Sequence, residues 1–258
     1  GFTMMKLPKM PSLKLNNRRA LITGAYGGLG LGCSAVLADA GAHVVVSGPN
    51  EKKLKSLVET IKKNGGSAEH LVLDISNVKD TQNKIDQMDY FDILVNSAGI
   101  ARHSNSLKTK EDEFDEVTNI NFKGAYFISQ TVAKKLIKCK KPGSLINISS
   151  QMGQVGGLER AVYSASKHAV EGFTKSMAIE LGKYNIRVNT ICPTFILTNL
   201  TKNSYENKVI KKWIDNKIKL NRIGKVEDIM GAILFLASDA SAMITGSALM
   251  IDGGWTAG

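Results

Sequence analysis

The sequence predicts an α/β protein in which a doubly wound, seven-stranded parallel sheet is flanked by helices. Short apolar segments alternate with longer segments of helical periodicity along the 258 residues. The short segments are nearly continuous in apolarity, which is typical of strands that are covered on both faces. Parallel strands are joined by right-handed crossovers, so we expect helices on both sides of the sheet.

Seven segments rich in Val, Ile and Leu are predicted as strands. They are residues 20–22, 43–46, 70–73, 93–95, 145–148, 187–191 and 248–251. Six further segments have helical periodicity and are predicted as the crossover helices. They are residues 28–40, 51–63, 77–88, 111–139, 163–182 and 226–237.

A single domain is predicted for residues 16–258, because no linker rich in Gly, Ser or Pro divides the chain. Residues 1–15 are interpreted as an N-terminal extension, and residues 1–3, which precede a Met, as a cloning remnant. Residues 194–224 interrupt the alternation with a long, polar, lysine-rich segment. Such a segment after a strand predicts a lid over a substrate, although a surface helical hairpin fits the same pattern.

The composition is that of a globular protein, with 43% hydrophobic and 22% charged residues. No apolar segment approaches the length of about 20 residues that crosses a bilayer. The N-terminal residues contain no apolar core of a signal peptide, so we expect a cytoplasmic protein. The cysteines at 33, 139 and 192 are odd in number and far apart, which predicts reduced packing residues and neither a disulfide nor a metal site.

The net charge of +11 comes mainly from lysine, because only six of the 34 basic residues are arginine. Proteins that bind nucleic acid rely more on arginine and on interleaved aromatic residues. Here the lysines fall on the outer faces of the predicted helices. A solvated surface is therefore predicted, with neither nucleic acid nor membrane as a partner.

A glycine-rich loop follows the first predicted strand and opens the first predicted helix. It runs from Thr23 to Gly30 and contains glycines at 24, 27, 28 and 30. Glycines let the backbone approach a pyrophosphate, and a helix N-terminus presents free N–H groups to it. In this α/β context the loop predicts a dinucleotide-binding site.

A phenol and an ammonium are four residues apart at Tyr163 and Lys167, so on a helix they share one face. A cation beside a phenol lowers the phenol's pKa towards neutrality, and a phenol so tuned can exchange a proton with an alcohol or a ketone. Ser150 stands thirteen residues upstream at the end of a predicted strand, where its hydroxyl can bond the same oxygen. The pair alone is weak evidence in so lysine-rich a chain, and the set of residues carries the prediction.

The spacings Thr-Gly-x-x-x-Gly-x-Gly and Tyr-x-x-x-Lys together resemble the short-chain dehydrogenase/reductase family over residues 16–256. Further matches follow in the family's order at residues 96–99, 121–124, 148–150, 193–198 and 252–254. Ser97 stands where the family usually has Asn, and Thr194 stands where it usually has Gly. The resemblance implies a Rossmann fold and an NAD(P)-dependent oxidoreductase that interconverts a secondary alcohol and a ketone.

The resemblance implies four catalytic residues. Tyr163 would be the general acid and base, and Lys167 would lower its pKa and bond the nicotinamide ribose. Ser150 would polarise the substrate carbonyl, with Ser149 as the alternative. Asn121 would hold a water that links Lys167 to a proton relay.

The resemblance also implies the residues that bind the dinucleotide. Besides Tyr163 and Lys167 they are Gly24, Tyr26, Gly28, Leu29, Gly30, Ser47, Asn50, Asp74, Ile75, Asn96, Ala98, Gly99, Pro193, Ile196 and Thr198. For Asp74 and Asn96, a purely structural role at a strand end remains open.

The cofactor prediction favours NADP(H), with NAD(H) as the alternative. NAD-dependent proteins place a carboxylate at the end of the second strand, where it bonds the ribose 2′-OH. Here Ser47-Gly48-Pro49-Asn50 follows that strand and contains neither a carboxylate nor an arginine. Ser47 and Asn50, together with Lys52 or Lys53, are candidates to accept a 2′-phosphate.

The substrate is predicted to be a small hydroxylated or anionic molecule. The candidate lining residues are Arg102, His103, Gln151, Arg160, Phe195 and Trp213, and Trp255 is interpreted as either a core residue or a lid. The C-terminal segment 252–257 resembles family members that act on sugar acids and polyols, of the gluconate 5-dehydrogenase kind. A reductase of 3-oxoacyl groups on acyl carrier protein is the alternative, and its acidic carrier would suit the positive surface.

A non-catalytic dinucleotide sensor is a remote alternative. A sensor is expected to lack one of the four catalytic residues, whereas this sequence contains all four. The family resemblance further implies a homotetramer, a dimer of dimers, built through the helices near 111–139 and 163–182 and the C-terminal strand.

Overall fold

A computed structural model describes residues 2–258, and within them a single parallel sheet of seven strands forms the centre of the protein. The strands are β1 (Arg19–Thr23), β2 (His43–Gly48), β3 (Ser67–Val72), β4 (Ile93–Asn96), β5 (Gly143–Ile148), β6 (Ile186–Pro193) and β7 (Ala248–Ile251). Their order is β3-β2-β1-β4-β5-β6-β7, and all neighbours run parallel. The predicted fold class is confirmed.

Helices cover both faces of the sheet. They are α1 (Gly28–Asp39), α2 (Glu51–Lys63), α3 (Val78–Asp86), α4 (Glu111–Thr118), α5 (Ala125–Lys138), α6 (Ala161–Leu181), α7 (Lys202–Glu206), α8 (Lys208–Lys217) and α9 (Glu227–Ala237). The segment 194–224, predicted as a lid, contains α7 and α8. None of the helices in residues 2–258 combines the length and the apolarity needed to cross a bilayer.

The apolarity of the strands reflects burial on both faces. On β1, the adjacent Leu21 and Ile22 are both fully buried, yet they belong to different core clusters on opposite sides of the sheet. One cluster packs α1, α2 and α9 against the strands, and the other packs α3, α5 and α6. Alternate residues therefore face two cores, which explains why the strands do not alternate in polarity.

Most predicted elements agree with the observed ones to within two residues at each end, and two differ by more. The third strand was predicted at 70–73 but runs from Ser67 to Val72, because it lies at the edge of the sheet and its polar residues are half exposed. The helix predicted over 111–139 is divided by a π-helical segment at Asn119–Gly124. A third expectation was wrong for Cys139, which is exposed at the end of α5, whereas Cys33 and Cys192 are buried as predicted.

From β1 the sheet is extended first to one side, by β2 and β3, and then to the other, by β4 to β7. The site lies where this change occurs, between β1 and β4. In doubly wound sheets the loops that leave the two central strands diverge there and open a crevice at the carboxyl ends. The glycine-rich loop follows β1, residues 97–100 follow β4, and Ser149 and Ser150 follow β5.

Candidate active site

A cavity of about 540 Å³ opens at the carboxyl ends of the strands. That volume lies in the usual range for the site of a cofactor or small ligand. The predicted residues that line it are Gly24, Tyr26, Gly28, Leu29, Gly30, Ser47, Asp74, Ile75, Ala98, Gly99, His103, Ser150, Gln151, Arg160, Tyr163, Phe195, Ile196 and Thr198. Residues far apart in the sequence thus share one continuous space.

The glycine-rich loop is folded too tightly to carry side chains at two positions. A Cβ atom on Gly30 would lie 1.9 Å from the carbonyl oxygen of Gly24, and one on Gly28 would lie 2.5 Å from Cγ2 of Thr198. Gly24 itself has a φ of +57°, a conformation that glycine adopts without strain. The loop leads into α1, whose first N–H groups have no partner within the helix.

The end of β2 has a different arrangement from the one predicted for Ser47 and Asn50. Ser47 is fully buried and its hydroxyl donates to the carbonyl oxygen of Ile22 at 2.9 Å. Asn50 does not line the cavity; its side chain caps α2 by accepting from the backbone N–H of Lys53. The Nζ atom of Lys53 lies 5.4 Å from the ring centroid of Tyr26, which lines the cavity. Lys53 therefore contacts a ring that lines the cavity, a contact that Lys52 does not make within residues 2–258.

Asn96 and Pro193, two of the residues expected to bind the dinucleotide, are not among those that line the cavity. The side chain of Asn96 is buried between strands, where its oxygen accepts from Thr23 at 2.7 Å and its nitrogen donates to Asn147 at 3.4 Å. The structural role left open for Asn96 is the one observed. Asp74 does line the cavity, and it also caps its own turn by accepting from the N–H and the hydroxyl of Ser76.

Tyr163 and Lys167 lie one turn apart on α6, as their spacing predicts. The Nζ atom of Lys167 is 5.7 Å from the ring centroid of Tyr163 and donates to the carbonyl oxygen of Ile148 at 3.0 Å. Lys167 is buried behind the wall, whereas Tyr163 faces the cavity. The ring of His103 packs edge-on against Tyr163, with the centroids 5.9 Å apart.

Burial dominates the protonation of this pair. It raises the pKa of Tyr163 above its usual value, although the neighbouring Ser150 side chain and the charge of Arg160 oppose the rise. Burial lowers the pKa of Lys167 to about 8, against the opposing charges of Cys192 and Glu171. The direction of the shift in the pKa of Tyr163 is thus opposite to the lowering expected from its pairing with Lys167, and burial is its largest cause.

The two candidate serines have different surroundings. Ser150 lines the cavity, donates to Oε1 of Gln151 at 2.7 Å and accepts from the N–H of Met152 at 3.0 Å. The hydroxyl of Ser149 is buried without a hydrogen-bond partner among the described residues and does not line the cavity. The geometry favours Ser150 over Ser149.

Asn121 lies in the π-helical segment, and its carboxamide is fixed to the backbone of Ile100. It accepts from the N–H of Ile100 at 2.9 Å and donates to the carbonyl oxygen of Ile100 at 2.8 Å. A Cβ atom on Gly99 would lie 3.4 Å from Oδ1 of Asn121 and 3.7 Å from Nζ of Lys167. Asn121 thus secures the segment after β4 beside Lys167, without lining the cavity itself.

The substrate end of the cavity is formed by His103, Gln151, Arg160 and Phe195. Two of the predicted lining residues lie outside it. Arg102 forms an ion pair with Glu116 at 3.1 Å. Trp213 packs edge-on against Trp255, with centroids 5.0 Å apart, and together they line a separate cavity. Trp255 is buried as a core residue.

Thr194 and Glu171 are two residues near the site that were not among the predicted site residues. Thr194 lines the cavity and accepts from Nε2 of Gln151 at 3.3 Å. Glu171 is buried below Lys167, where it accepts from the hydroxyl of Thr190 at 2.9 Å and the thiol of Cys192 at 3.0 Å. The spacing was a usable signal, since Glu171 follows Lys167 by one helical turn on α6.

Comparison with known proteins finds a matching family and relatives that are similar over nearly the whole chain. The family described as enoyl-(acyl carrier protein) reductase matches residues 24–256. D-erythrulose reductase from Gallus gallus is 36% identical, covering 95% of this chain and 98% of its own. 2-Dehydro-3-deoxy-D-gluconate 5-dehydrogenase from Dickeya dadantii is 37% identical over the same shares of the two chains. 3-Oxoacyl-[acyl-carrier-protein] reductase from Rickettsia conorii is 36% identical, covering 94% of this chain and 98% of its own.

A solved structure has a closely similar fold. Gluconate 5-dehydrogenase from Burkholderia cenocepacia, in complex with NADP and tartrate, superposes with a TM-score of 0.92 at 33% identity. The match covers 95% of this chain and 98% of that one.

Proposed function

This chain belongs to the short-chain dehydrogenase/reductase family, and we propose that it interconverts a sugar acid's secondary alcohol and the corresponding ketone with NADP(H). The family makes it an oxidoreductase. The observation that carries the proposal is the single cavity that joins the glycine-rich loop to Ser150 and Tyr163. A dinucleotide and a small substrate would meet there.

The residues present fit a dinucleotide. Gly24, Gly28 and Gly30 pack too closely against Ala98, Thr198 and the loop's own backbone to carry side chains, so the cavity wall here is backbone. The N-terminus of α1 offers N–H groups to a pyrophosphate. Asp74, Ile75 and Ala98 line the same end of the cavity and suit an adenosine moiety. When bound, the cofactor supplies or accepts the hydride.

The protein's own residues would handle the proton. In the direction of ketone reduction, the Tyr163 hydroxyl gives its proton to the carbonyl oxygen, since the raised pKa of Tyr163 keeps the phenol protonated at neutral pH. The Lys167 ammonium, 5.7 Å from the ring, stabilises the phenolate that remains. The Ser150 hydroxyl turns from Gln151 to bond the same carbonyl oxygen. Asn121 keeps the segment beside Lys167 in place.

NADP(H) is proposed over NAD(H) for two reasons. The segment 47–50 at the end of β2 contains no carboxylate, and Glu51 bonds His70 and Lys55 instead. Lys53 lies over Tyr26, where its charge suits a 2′-phosphate. The bound NADP in the Burkholderia cenocepacia gluconate 5-dehydrogenase supports the same choice.

A sugar acid is favoured as the substrate by the polar groups at the other end of the cavity, which come from His103, Gln151 and Arg160. The names of the Dickeya dadantii and Burkholderia cenocepacia relatives agree with it, and the latter structure holds tartrate, a hydroxy acid. Reduction of 3-oxoacyl groups on acyl carrier protein is the second candidate, supported by the net charge of +11 and the Rickettsia conorii relative.

A homotetramer of this chain is also proposed. Apolar side chains are exposed on the helices expected at its interfaces: Phe114 on α4, Phe122 in the π-helical segment and Ile179 on α6. Contacts between copies would cover them. Sedimentation as a monomer would refute this assembly.

A cytoplasmic location is also proposed, because the unpaired thiols of Cys33, Cys139 and Cys192 suit a reducing compartment.

The function is tested by following absorbance at 340 nm with NADPH or NADH and three ketones. They are 5-keto-D-gluconate, D-fructose and an acetoacetyl thioester. Turnover of the keto acid that is fastest with NADPH is the expected result. Turnover of the thioester alone would establish the second candidate, and no turnover of any ketone would favour a dinucleotide sensor.

A further inference from the structure

Arg160 differs from every other arginine of the chain. Four of the other five form ion pairs, namely Arg18 with Asp239, Arg19 with Glu69, Arg102 with Glu116 and Arg222 with Asp228. The fifth, Arg187, donates to the carbonyl oxygens of Ile244, Leu236 and Ser238. Arg160, by contrast, makes one hydrogen bond within residues 2–258, from Nη1 to the carbonyl oxygen of Leu158 at 2.9 Å, and no ion pair.

This unpaired guanidinium is buried. Arg160 is only 4% exposed and lines the substrate end of the cavity. Its Cζ atom lies 5.7 Å from the ring centroid of Phe195 and 5.8 Å from that of Trp213, so the two rings hold the guanidinium plane in place. Burial also lowers the pKa of Arg160, although a guanidinium keeps its charge at any ordinary pH.

The charge of the adjacent, exposed Glu159 acts on Arg160, but the two side chains form no ion pair, and within residues 2–258 only the carbonyl oxygen of Leu158 accepts from the guanidinium. A charge so placed is costly for folding unless an acceptor reaches it. Arg160 carries five N–H donors in a planar fork, a geometry that matches a carboxylate with two parallel hydrogen bonds. The cavity in front of it is where an acceptor can enter. An anion bound there would satisfy both the charge and the donors.

Arg160 lies close to Tyr163, so an anion bound to Arg160 would lie near the reacting atoms. Arg160 precedes Tyr163 by three residues at the start of α6, and its charge acts on the Tyr163 phenol. The ring of His103 also contacts the phenol, edge-on. Desolvation and the charge of Arg160 lower the pKa of His103, so this ring is neutral and suits hydroxyl groups. Arg160 is therefore the cation of the substrate end that an acidic group would meet.

We propose that Arg160 is a specificity-determining residue that binds the carboxylate of the substrate and so selects keto acids over neutral ketoses. This inference rests on the proposed function, because it names the group that distinguishes a sugar acid from a sugar at that site. D-Fructose and 5-keto-D-gluconate form a suitable pair, since both are six-carbon polyhydroxy ketones and only the latter has a carboxylate.

The test compares Arg160→Gln with the wild type on both ketones, with NADPH as cofactor. We expect the ratio of kcat/KM for keto acid over ketose to fall about 10- to 100-fold, mainly through the KM of the keto acid, as for a lost hydrogen bond to a charged group. Arg18→Gln, which removes the same charge far from the cavity, should leave the ratio at its wild-type value. Equal losses on both ketones in Arg160→Gln would overturn the proposal.

Arg160→Lys serves as the second variant should Arg160→Gln fail to fold. It keeps the charge but loses the fork, so we expect an intermediate ratio; a ratio equal to the wild type's would overturn the two-point carboxylate contact. A binding measurement separates this inference from the proposed function. D-Gluconate should raise the Tm of the wild type and of Arg18→Gln, but not that of Arg160→Gln, even where no ketone is reduced. A rise in Tm that persists in Arg160→Gln would overturn the inference and leave the reaction class intact.

Discussion

The ammonium of Lys167 lies 5.7 Å from the ring centroid of Tyr163 and donates a 3.0 Å hydrogen bond to the carbonyl oxygen of Ile148. The bond fixes the charge behind the phenol, one helical turn from it. Burial acts on the two groups in opposite directions, raising the pKa of Tyr163 and lowering that of Lys167 to about 8. Each group is thereby driven towards its neutral form, so formation of a phenolate depends on the charge that Lys167 retains.

The first prediction concerns the pH dependence of ketone reduction. Lys167 is protonated below its pKa of about 8 and neutral above it. Since the ammonium stabilises the phenolate left after proton transfer, kcat/KM should be constant near pH 7 and fall as the pH rises through about 8. A pH profile measured at saturating NADPH checks this. A profile that stays flat to pH 10 would show that the charge of Lys167 does not assist the reaction.

The second prediction concerns Glu171, whose negative charge opposes the lowering of the Lys167 pKa. Glu171→Gln removes that charge, so the pKa of Lys167 should fall further and the alkaline limb of the kcat/KM profile should move to lower pH. The control is Glu180→Gln, an exposed position on the same helix, which should leave the profile in place. A Glu171→Gln protein that folds, has an unchanged limb and shows only a reduced Tm would confine Glu171 to a structural role.

The third prediction compares two glycines of the phosphate loop. A Cβ atom on Gly30 would lie 1.9 Å from the carbonyl oxygen of Gly24, whereas one on Gly27 would lie 3.4 Å from the same atom. Gly30→Ala should therefore lower the free energy of unfolding by about 1–3 kcal/mol and weaken NADPH binding. Gly27 has a φ of −73°, so Gly27→Ala should alter both quantities little. Urea unfolding and NADPH fluorescence titration measure them; equal effects of the two variants would contradict the proposed close approach.

The fourth prediction concerns the choice between NADPH and NADH. If Lys53 meets a 2′-phosphate, Lys53→Ala should weaken NADPH binding about 3- to 10-fold, as for a partly exposed charge contact, and leave NADH binding unchanged. Lys52→Ala is the matched control, because Lys52 is the adjacent exposed residue without the contact to Tyr26. Tighter binding of NADH than of NADPH by the wild type would contradict the proposal that NADP(H) is the cofactor.

The sequence was sufficient to predict the parallel sheet and the placement of Tyr163 and Lys167 one turn apart on a helix, because both follow from local periodicity. It failed where tertiary surroundings decide. Nothing local to Asn96 shows that Thr23 and Asn147 take its hydrogen bonds between strands. Nothing local to Asn121 likewise shows that its carboxamide bonds the backbone of Ile100, a residue 21 positions away.

Electrostatics was the least predictable part of the site. A lysine beside a tyrosine suggests a lowered phenol pKa, but the sequence does not reveal that burial raises the pKa of Tyr163. The isolation of Arg160 is equally invisible, because it depends on which arginines find carboxylates in the fold. Trp213, predicted at the substrate site, instead packs on Trp255 outside it.

The most direct test of the central claim is the rate of ketone reduction by Tyr163→Phe. The variant keeps the ring and removes the one hydroxyl that lies between Ser150 and Lys167 in the proposed proton transfer. We predict that it binds NADPH, as measured by nicotinamide fluorescence, while kcat for the ketone falls about 10²- to 10⁴-fold, the range for loss of a general acid. A Tyr163→Phe protein that reduces the ketone at the wild-type rate would contradict the account.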